Sequence, residues 1–170
     1  MPKYTDKIKS KEELAPLLTG LKEKGKTVVF TNGCFDILHT GHIRYLHQAK
    51  ALGDILVIGV NTDASVKMFK GDKRPIVSED DRAEVLAALE MVDFVVKFNE
   101  RTPAQLISAL KPNIQVKGGD YSPEDLPEAE VLKAYGGRVE IVPLVEGKGT
   151  TGIVERVLNV YKNTSISHEK

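Results

Sequence analysis

The sequence is poor in the features that mark exported, membrane-bound and nucleic-acid-binding proteins. It has one cysteine, Cys34, in 170 residues, which excludes an internal disulfide and is typical of a reducing cytoplasm. Lysine plus arginine and aspartate plus glutamate each total 24, so there is no net positive charge to attract nucleic acid or an acidic membrane. No apolar run is long enough for a signal peptide or a membrane span. This composition predicts one cytoplasmic domain.

Two common nucleotide-binding motifs are also missing or misplaced. No GxGxxG sequence follows a predicted strand, which argues against a dinucleotide-dependent oxidoreductase. Residues 20–27 fit the letters of a P-loop, but a predicted helix precedes them and a predicted strand follows. A P-loop needs the opposite order, because its amides must cradle phosphate at the start of a helix. We therefore interpret Gly25 as a helix stop.

Strands alternate with helices along the whole chain, which predicts a parallel sheet covered on both faces. The fold class is therefore α/β, a Rossmann-like open parallel sheet of five strands. We predict one domain over residues 1–162, with an N-terminal helical extension (1–25), a core (26–162) and a disordered tail (163–170). The predicted strands are 27–30, 54–61, 93–97, 114–117 and 138–142. The predicted helices begin after Ser10 and near residue 39, and otherwise span 64–69, 78–91, 102–110, 128–135 and 153–161.

The stretch around His39-Thr40-Gly41-His42 carries the strongest functional signal. It follows a buried strand and a glycine turn, and it opens a helix whose apolar residues recur at helical spacing. A helix N-terminus has unpaired N–H groups and a partial positive charge, so it attracts anions. Two imidazoles three residues apart can donate to the same phosphate. A zinc site made of Cys34, His39 and His42 is a weaker interpretation, since no fourth ligand is evident.

Other polar residues are predicted to meet these histidines, because the carboxyl ends of parallel strands share one edge of the sheet. They are Asn32, Gly33, Asn61, Asp63, Gly118, Gly119 and Asp120. The basic loop 70–76 is either a solvated surface or a clamp of positive charges over phosphates. Arg82 lies near the start of a predicted helix, an unfavourable place for a cation, which suggests a specific role or simple exposure.

Five segments of this chain resemble the cytidylyltransferase-like nucleotidyltransferases, and most of all their heptose 1-phosphate adenylyltransferase branch. The segments are TNGCFDILHTGH, VNTDAS, KGDKRPI, QVKGGDY and KGTT. The resemblance covers residues 28–161, nearly the whole chain. One departure is Gly149, where the family usually has serine, so one hydroxyl of the last phosphate loop is absent.

The resemblance implies specific roles for residues at these positions. The implied catalytic residues, which hold the triphosphate and stabilise the attacked phosphorus, are His39, His42, Lys70 and Lys73; the choice between the two lysines stays open. The implied nucleotide-binding residues are Thr31, Asn32, Gly33, Phe35, Asp36, Gly41, Lys117, Gly118, Gly119, Asp120, Thr150 and Thr151. The implied substrate-binding residues are Asn61, Asp63, Arg74 and Arg82. No metal-ligating residue is implied, and Mg²⁺ is expected to bind mainly through the ATP phosphates.

The implied reaction is adenylyl transfer from ATP to heptose 1-phosphate, giving ADP-heptose and pyrophosphate for the lipopolysaccharide core. Many relatives fuse this unit to a sugar kinase, so a separate kinase and phosphatase are expected to supply the substrate. A homodimer is also implied. Two alternatives stay open: a cytidylyltransferase acting on glycerol 3-phosphate or a similar alcohol phosphate, and a non-catalytic nucleotide sensor.

Overall fold

The computed structural model of the chain describes residues 3–119, 122, 126–143 and 147–162. Within these residues five strands form the sheet: β1 Val28–Gly33, β2 Ile55–Asn61, β3 Phe94–Phe98, β4 Ile114–Gly118 and β5 Arg138–Val142. A 3₁₀ helix, Tyr4–Lys7, precedes the α-helices, which are α1 Lys11–Glu23, α2 Thr40–Lys50, α3 Asp63–Lys70, α4 Glu79–Ala87, α5 Ala104–Leu110, α6 Ala129–Lys133 and α7 Thr150–Tyr161.

The five strands form one parallel sheet in the order β3-β2-β1-β4-β5. This confirms the predicted Rossmann-like α/β class. The chain moves outward from β1 to β3, then returns to the other side of β1 with β4. Ligands of open α/β sheets bind at such a reversal, outside the carboxyl ends of the strands. The topology therefore directs attention to the crevice above β1 and β4.

The apolar core has two layers, one on each face of the sheet. Tyr45 and Leu46 of α2 pack in the first layer with α4, and Leu132 of α6 packs in the second with α1 and α5. Leu14 and Leu18 of α1 are also in the second layer and are fully buried. Burying each of these leucines contributes roughly 1.5–3 kcal/mol. The segment predicted as an N-terminal extension thus covers the core.

Several helices and strands differ from their predicted limits. β1 continues to Gly33, and α4 ends at Ala87 rather than at residue 91. After α4 the chain turns so that Leu89 and Met91 pack against the first core layer. The predicted helix 153–161 begins earlier, at Thr150. The last difference matters for function, because it places two threonines in the first turn of α7.

The P-loop look-alike belongs to a helix and the turn after it, as predicted. Gly20 lies in the interior of α1, and Gly25 has a φ of +79° just after the helix. Glycine adopts this left-handed conformation without steric cost.

In the described ranges, no helix combines the length and apolar character that crossing a bilayer requires.

Candidate active site

A cavity of about 680 Å³ opens at the carboxyl ends of β1 and β4. Its walls are formed by the turns that follow β1 and β4, by the N-termini of two helices and by several cationic side chains. Its lining residues are Asn32, Gly33, Cys34, Phe35, Asp36, His39, Gly41, His42, Tyr45, Lys70, Arg74, Thr102, Lys117, Gly118, Leu126, Pro127, Glu128, Lys148, Gly149, Thr150 and Thr151.

The turn after β1 orients the aromatic wall of the cavity. Phe35 has a φ of +48° and is buried, a conformation that non-glycine residues rarely adopt. A Cβ atom at Gly33 would lie 3.2 Å from the Phe35 ring, so glycine allows this close approach. The Phe35 ring lies 5.3 Å from the His42 ring, centroid to centroid. The strained turn therefore supports one of the predicted catalytic histidines.

His39 is the N-cap residue of α2, which agrees with the predicted helix start near residue 39. Its Nδ1 atom accepts a hydrogen bond from the Gly41 backbone N–H at 3.1 Å. The proton of a neutral ring must then be on Nε2, which makes that atom a donor. A Cβ atom at Gly41 would lie 2.9 Å from the His39 ring. The middle glycine of the motif is thus required by the position of its first histidine.

The two imidazoles stack with their centroids 3.9 Å apart. Burial, together with the neighbouring His39, lowers the pKa of His42 to about 4. Burial and the nearby positive charge of Lys148 also lower the pKa of His39. The His42 Nδ1 atom is buried and has no hydrogen-bond partner within the described part of the chain. Both rings are therefore neutral at pH 7, and one of them has an unused polar atom.

A second helix N-terminus meets the first at this point. Thr150 and Thr151 form the start of α7 and line the cavity. The Cβ of Lys148 lies only 3.0 Å from the position that a Gly41 Cβ would occupy. Gly149 is the N-cap residue of α7 and supplies no capping side chain. The first N–H groups of two helices and a lysine consequently converge beside the histidines, an arrangement suited to a polyanion.

Asp36 holds the basic loop against the cavity. It is almost completely buried, and it accepts hydrogen bonds from the Ile76 and Val77 backbone N–H groups at 2.8 and 2.9 Å and from the Arg74 guanidinium. Burial opposes ionisation of this carboxyl, but the three donors outweigh it and lower its pKa. Asp36 therefore positions Arg74, and the loop is more than a solvated surface.

Lys117 and Glu128 form an ion pair in another part of the cavity. The Lys117 Nζ donates to Glu128 Oε1 at 3.1 Å and to Asn32 Oδ1 at 3.0 Å. Glu128 is 4% exposed. These contacts connect the ends of β1 and β4 with the residue that precedes α6.

Several predicted site residues lie outside the cavity lining. Between the two lysines left open, Lys70 lines the cavity and Lys73 is exposed on the loop beyond it. Thr31 is fully buried, and its hydroxyl lies 2.7 Å from the Tyr45 hydroxyl, so it supports the strand rather than the ligand. Gly119 is not among the lining residues, although Gly118 is. Asp120 lies outside the described residues.

The predicted substrate-binding residues separate into two groups. Arg74 lines the cavity, but Asn61, Asp63 and Arg82 do not. The Arg82 side chain is fully buried and donates to Asp63 Oδ1 at 2.7 Å and to the Cys34 carbonyl. Asn61 donates to Ser65 Oγ at 2.9 Å. Arg82 thus pairs with Asp63 and with the backbone of the turn after β1, whereas Asn61 pairs with Ser65. These contacts hold the three residues outside the cavity lining, and their role in substrate binding stays a prediction.

Sequence reasoning missed six lining residues, which are Tyr45, Thr102, Leu126, Pro127, Glu128 and Lys148. Lys148 is the first residue of the KGTT segment, so a basic residue within a phosphate loop was an available signal. Tyr45 occupies an apolar helix position and reads as core, and Thr102 and Glu128 lie outside any motif. Only the folded chain brings Glu128 to Lys117.

Cys34 lines the cavity as a thiol rather than a thiolate. Burial raises its pKa, although Lys70, Arg82 and Arg74 act in the opposite direction. No three His, Cys, Asp or Glu side chains in the described ranges are grouped so that they could hold a metal ion. The zinc interpretation thus has no support in this geometry.

Comparisons with known proteins identify the family. The cytidylyltransferase-like family model matches residues 30–162. The bifunctional protein HldE of Pelobacter propionicus is 56% identical over 155 residues, which are 91% of this chain and 32% of that protein. HldE of Syntrophotalea carbinolica is 52% identical over 159 residues, again 32% of its length. The chain thus spans about a third of the length of these relatives.

A solved structure agrees with these matches. The crystal structure of the lipopolysaccharide core biosynthesis protein from Thermoplasma volcanium is 32% identical, with a TM-score of 0.57. The similarity covers 73% of this chain and all of that one. With its five-stranded parallel sheet and its HTGH cavity, the chain belongs to the cytidylyltransferase-like family of nucleotidyltransferases.

Proposed function

We propose that this protein transfers the adenylyl group of ATP to heptose 1-phosphate, releasing pyrophosphate and forming ADP-heptose for the lipopolysaccharide core. The stacked pair His39 and His42 carries the proposal, since it lies at a helix N-terminus inside a cavity that is rich in cations. The branch of the family is inferred from the HldE relatives and from the name of the Thermoplasma protein, a lipopolysaccharide core biosynthesis protein.

The chemistry needs no protein nucleophile and no strong base. A phosphate monoester has a second pKa of about 6 and is largely ionised at neutral pH. It can attack the α-phosphorus of ATP directly if the two groups are held in line. Catalysis then consists of positioning and of stabilising the charge that builds on the phosphoryl oxygens and the leaving pyrophosphate.

The site residues match these needs. The His39 Nε2–H donor, the amides that begin α2 and α7, and the charges of Lys70, Arg74 and Lys148 act on the triphosphate. Lys70 and Lys148 form no ion pair with any described residue. Their positive charges are therefore available to interact with a bound phosphate. His42 is neutral in the free protein, and an adjacent triphosphate favours its protonated form, which raises its pKa on binding.

Magnesium fits this site through the nucleotide. Both carboxylates that line the cavity, Asp36 and Glu128, already accept from cations. The described residues thus offer no free oxygen cage, which suits an ion held by phosphates and waters. When bound, Mg²⁺ neutralises phosphate charge and orients the triphosphate.

Partners follow from the substrate. A heptose kinase and a phosphatase supply heptose 1-phosphate, and the reaction takes place in the cytoplasm, where ATP is available. We further propose a homodimer. The relatives are named bifunctional and are about three times as long as this chain. This supports a second activity in the part of the relatives that this chain does not match.

The test is pyrophosphate release with Mg²⁺, each nucleoside triphosphate in turn, and either heptose 1-phosphate or glycerol 3-phosphate as acceptor. We expect release with ATP and the heptose phosphate. Replacing His42 with alanine should lower kcat about 100- to 1000-fold, as expected for loss of one donor to the transition state. His47→Ala is the matched control, because His47 is exposed on the same helix.

Other outcomes redirect the assignment. Release with CTP and glycerol phosphate would indicate the cytidylyltransferase alternative. Tight ATP binding with no release for either acceptor would indicate a sensor. Equal losses of activity and of folding stability in His42→Ala would make that histidine structural.

A further inference from the structure

The ladder between β1 and β4 stops before either strand ends. β1 pairs with β2 over all six of its residues, Val28–Gly33, but it pairs with β4 only from Val29 to Thr31. β4 itself stays paired with β5 as far as Gly118. The two strands therefore separate after Thr31 and its partner Val116. The residues that follow in both strands line the cavity, which opens at this point.

The Tyr45 side chain occupies the point where the two strands separate. Its hydroxyl donates to the Val116 carbonyl at 2.9 Å. The same hydroxyl lies 2.7 Å from the Thr31 hydroxyl, and Thr31 is the donor in that bond because the Tyr45 proton is already used. Thr31 and Val116 are fully buried, and Tyr45 is 9% exposed. One hydroxyl thus binds the last residue of each strand in the β1–β4 ladder.

Tyr45 belongs to the helix that carries the histidines. It lies three residues after His42 in α2, so the two side chains share one face of the helix, and both line the cavity. Leu46 and Ala49 pack α2 into the first core layer. Apolar contacts are non-directional, so they do not by themselves fix the rotation of a helix. The hydrogen bonds of Tyr45 are directional, and they connect this part of α2 to β1 and β4.

We propose that Tyr45 is a positioning residue for the transfer reaction: it holds α2 at the point where β1 and β4 separate, so that His42 faces the phosphorus under attack. The inference rests on the proposed function for the reaction and for the part that His42 takes in it. Tyr45 acts through the helix and not by contact with the reacting atoms. This role accounts for a tyrosine at a core position where phenylalanine would fill the same space.

The first test is Tyr45→Phe, which keeps the ring and removes only the hydroxyl. With Mg²⁺ and saturating ATP and heptose 1-phosphate, we expect kcat to fall about 10- to 100-fold, because a small displacement of a catalytic group slows a reaction strongly. Tyr4→Phe is the matched control. It also removes a hydrogen bond, from Tyr4 to Glu84, but on the exposed surface and outside the cavity lining. Its kcat should equal that of wild type.

A double-variant cycle determines whether Tyr45 acts through His42. In the His42→Ala background, Tyr45→Phe should lower kcat by less than about twofold, since the group that it positions is already absent. Equal losses in the two backgrounds would overturn the inference, because Tyr45 would then act independently of His42. A kcat of Tyr45→Phe equal to that of wild type would overturn it as well.

A second measurement needs no turnover. The His42 ring is titrated by NMR in the free protein, where burial holds its pKa at about 4. Tyr45→Phe should loosen α2, expose the ring and raise this pKa toward its ordinary value of 6.5. Tyr4→Phe should leave it unchanged. A hydroxyl that serves only the stability of the core would not move this titration, so an unchanged curve in Tyr45→Phe would overturn the inference.

Two substitutions of Thr31 keep the inference testable if Tyr45→Phe does not fold. Thr31→Val removes the hydroxyl that donates to Tyr45 and keeps the β-branched shape, whereas Thr31→Ser keeps the hydroxyl. We expect Thr31→Val to lower kcat about 3- to 10-fold and Thr31→Ser to resemble wild type. Equal kinetics for the two variants would overturn the inference.

These outcomes separate the two proposals. No pyrophosphate release by wild type for any acceptor, together with the expected His42 titrations, would overturn the proposed reaction and support the positioning of His42 by Tyr45. Normal transfer by wild type, with Tyr45→Phe indistinguishable from its control, would overturn only the inference.

Discussion

Individual side chains in this protein have roles that depend on what surrounds them rather than on their type. His42 illustrates this, because its ring is half-buried between Phe35 and His39. Its charge state is thereby tied to folding and to ligand binding. Asp36 is a second case, since a carboxylate in a phosphate site would be unfavourable without the donors that occupy it.

The low pKa of His42 has a consequence for stability. Its pKa is about 4 in the folded chain and about 6.5 when unfolded. Between these values the unfolded chain binds more protons, so stability falls as the pH drops from about 6.5 to about 4. Relative to His42→Asn, wild type should lose about 1–2 kcal/mol more over this range, a value discounted for partial solvent exposure. Urea unfolding of both proteins across the range measures the difference, and parallel curves would contradict it.

Asp36→Asn should uncouple the basic loop from the cavity. Asparagine can still accept from the Ile76 and Val77 amides, but it loses the charge that pairs with Arg74. We expect kcat/KM to fall about 10- to 100-fold through misplacement of Arg74, with a loss of about 1–3 kcal/mol in stability. Asp72→Asn, exposed on the same loop, provides the control in the same assays. Similar kinetics for both variants would show that the loop does not act on the reaction.

At the scale of helices and strands, glycines have different roles at different places. Gly20 lies inside α1, and a Cβ atom there would contact nothing within 4 Å. Gly59 lies in β2, and a Cβ atom there would be 2.8 Å from the Phe30 ring. The first position has room for a side chain, and the second is filled by its neighbour.

Gly20→Ala should therefore stabilise the protein by about 0.5–1 kcal/mol, because alanine lowers the entropy cost of forming a helix. Gly59→Ala should destabilise it by about 1–3 kcal/mol through overpacking. Urea midpoints with unchanged m-values would report both changes. A destabilised Gly20→Ala protein would mean that the exposed side of α1 is covered by a partner.

For the whole molecule, we propose that residues 1–162 unfold as one unit. β1 pairs with both β2 and β4, and Ile8 forms a parallel bridge with Val95 of the edge strand β3. Helical and tyrosine signals should then follow a single urea transition, as expected for a two-state domain. Truncation after Lys162 should leave its midpoint unchanged. Separate transitions for the two signals would show that the N-terminal segment unfolds independently.

The sequence by itself determined the α/β class and the strand and helix order, and it predicted a phosphate site at the HTGH turn. These features are local, since they follow from periodicity, glycine placement and the N–H groups of one helix end. The same reasoning recognised that Gly20 to Gly25 could not form a P-loop. It left Lys70 and Lys73 equivalent, because both are lysines on one short loop.

Only the tertiary structure decided which polar groups line the cavity. Arg82 and Asp63 lie on different helices, and the buried Arg82 side chain pairs with Asp63 outside the cavity lining. Lys117 and Glu128 were brought together by the end of β4 and the start of α6, with no motif to mark the glutamate. Such pairings depend on how helices pack across the sheet, which local sequence patterns do not encode.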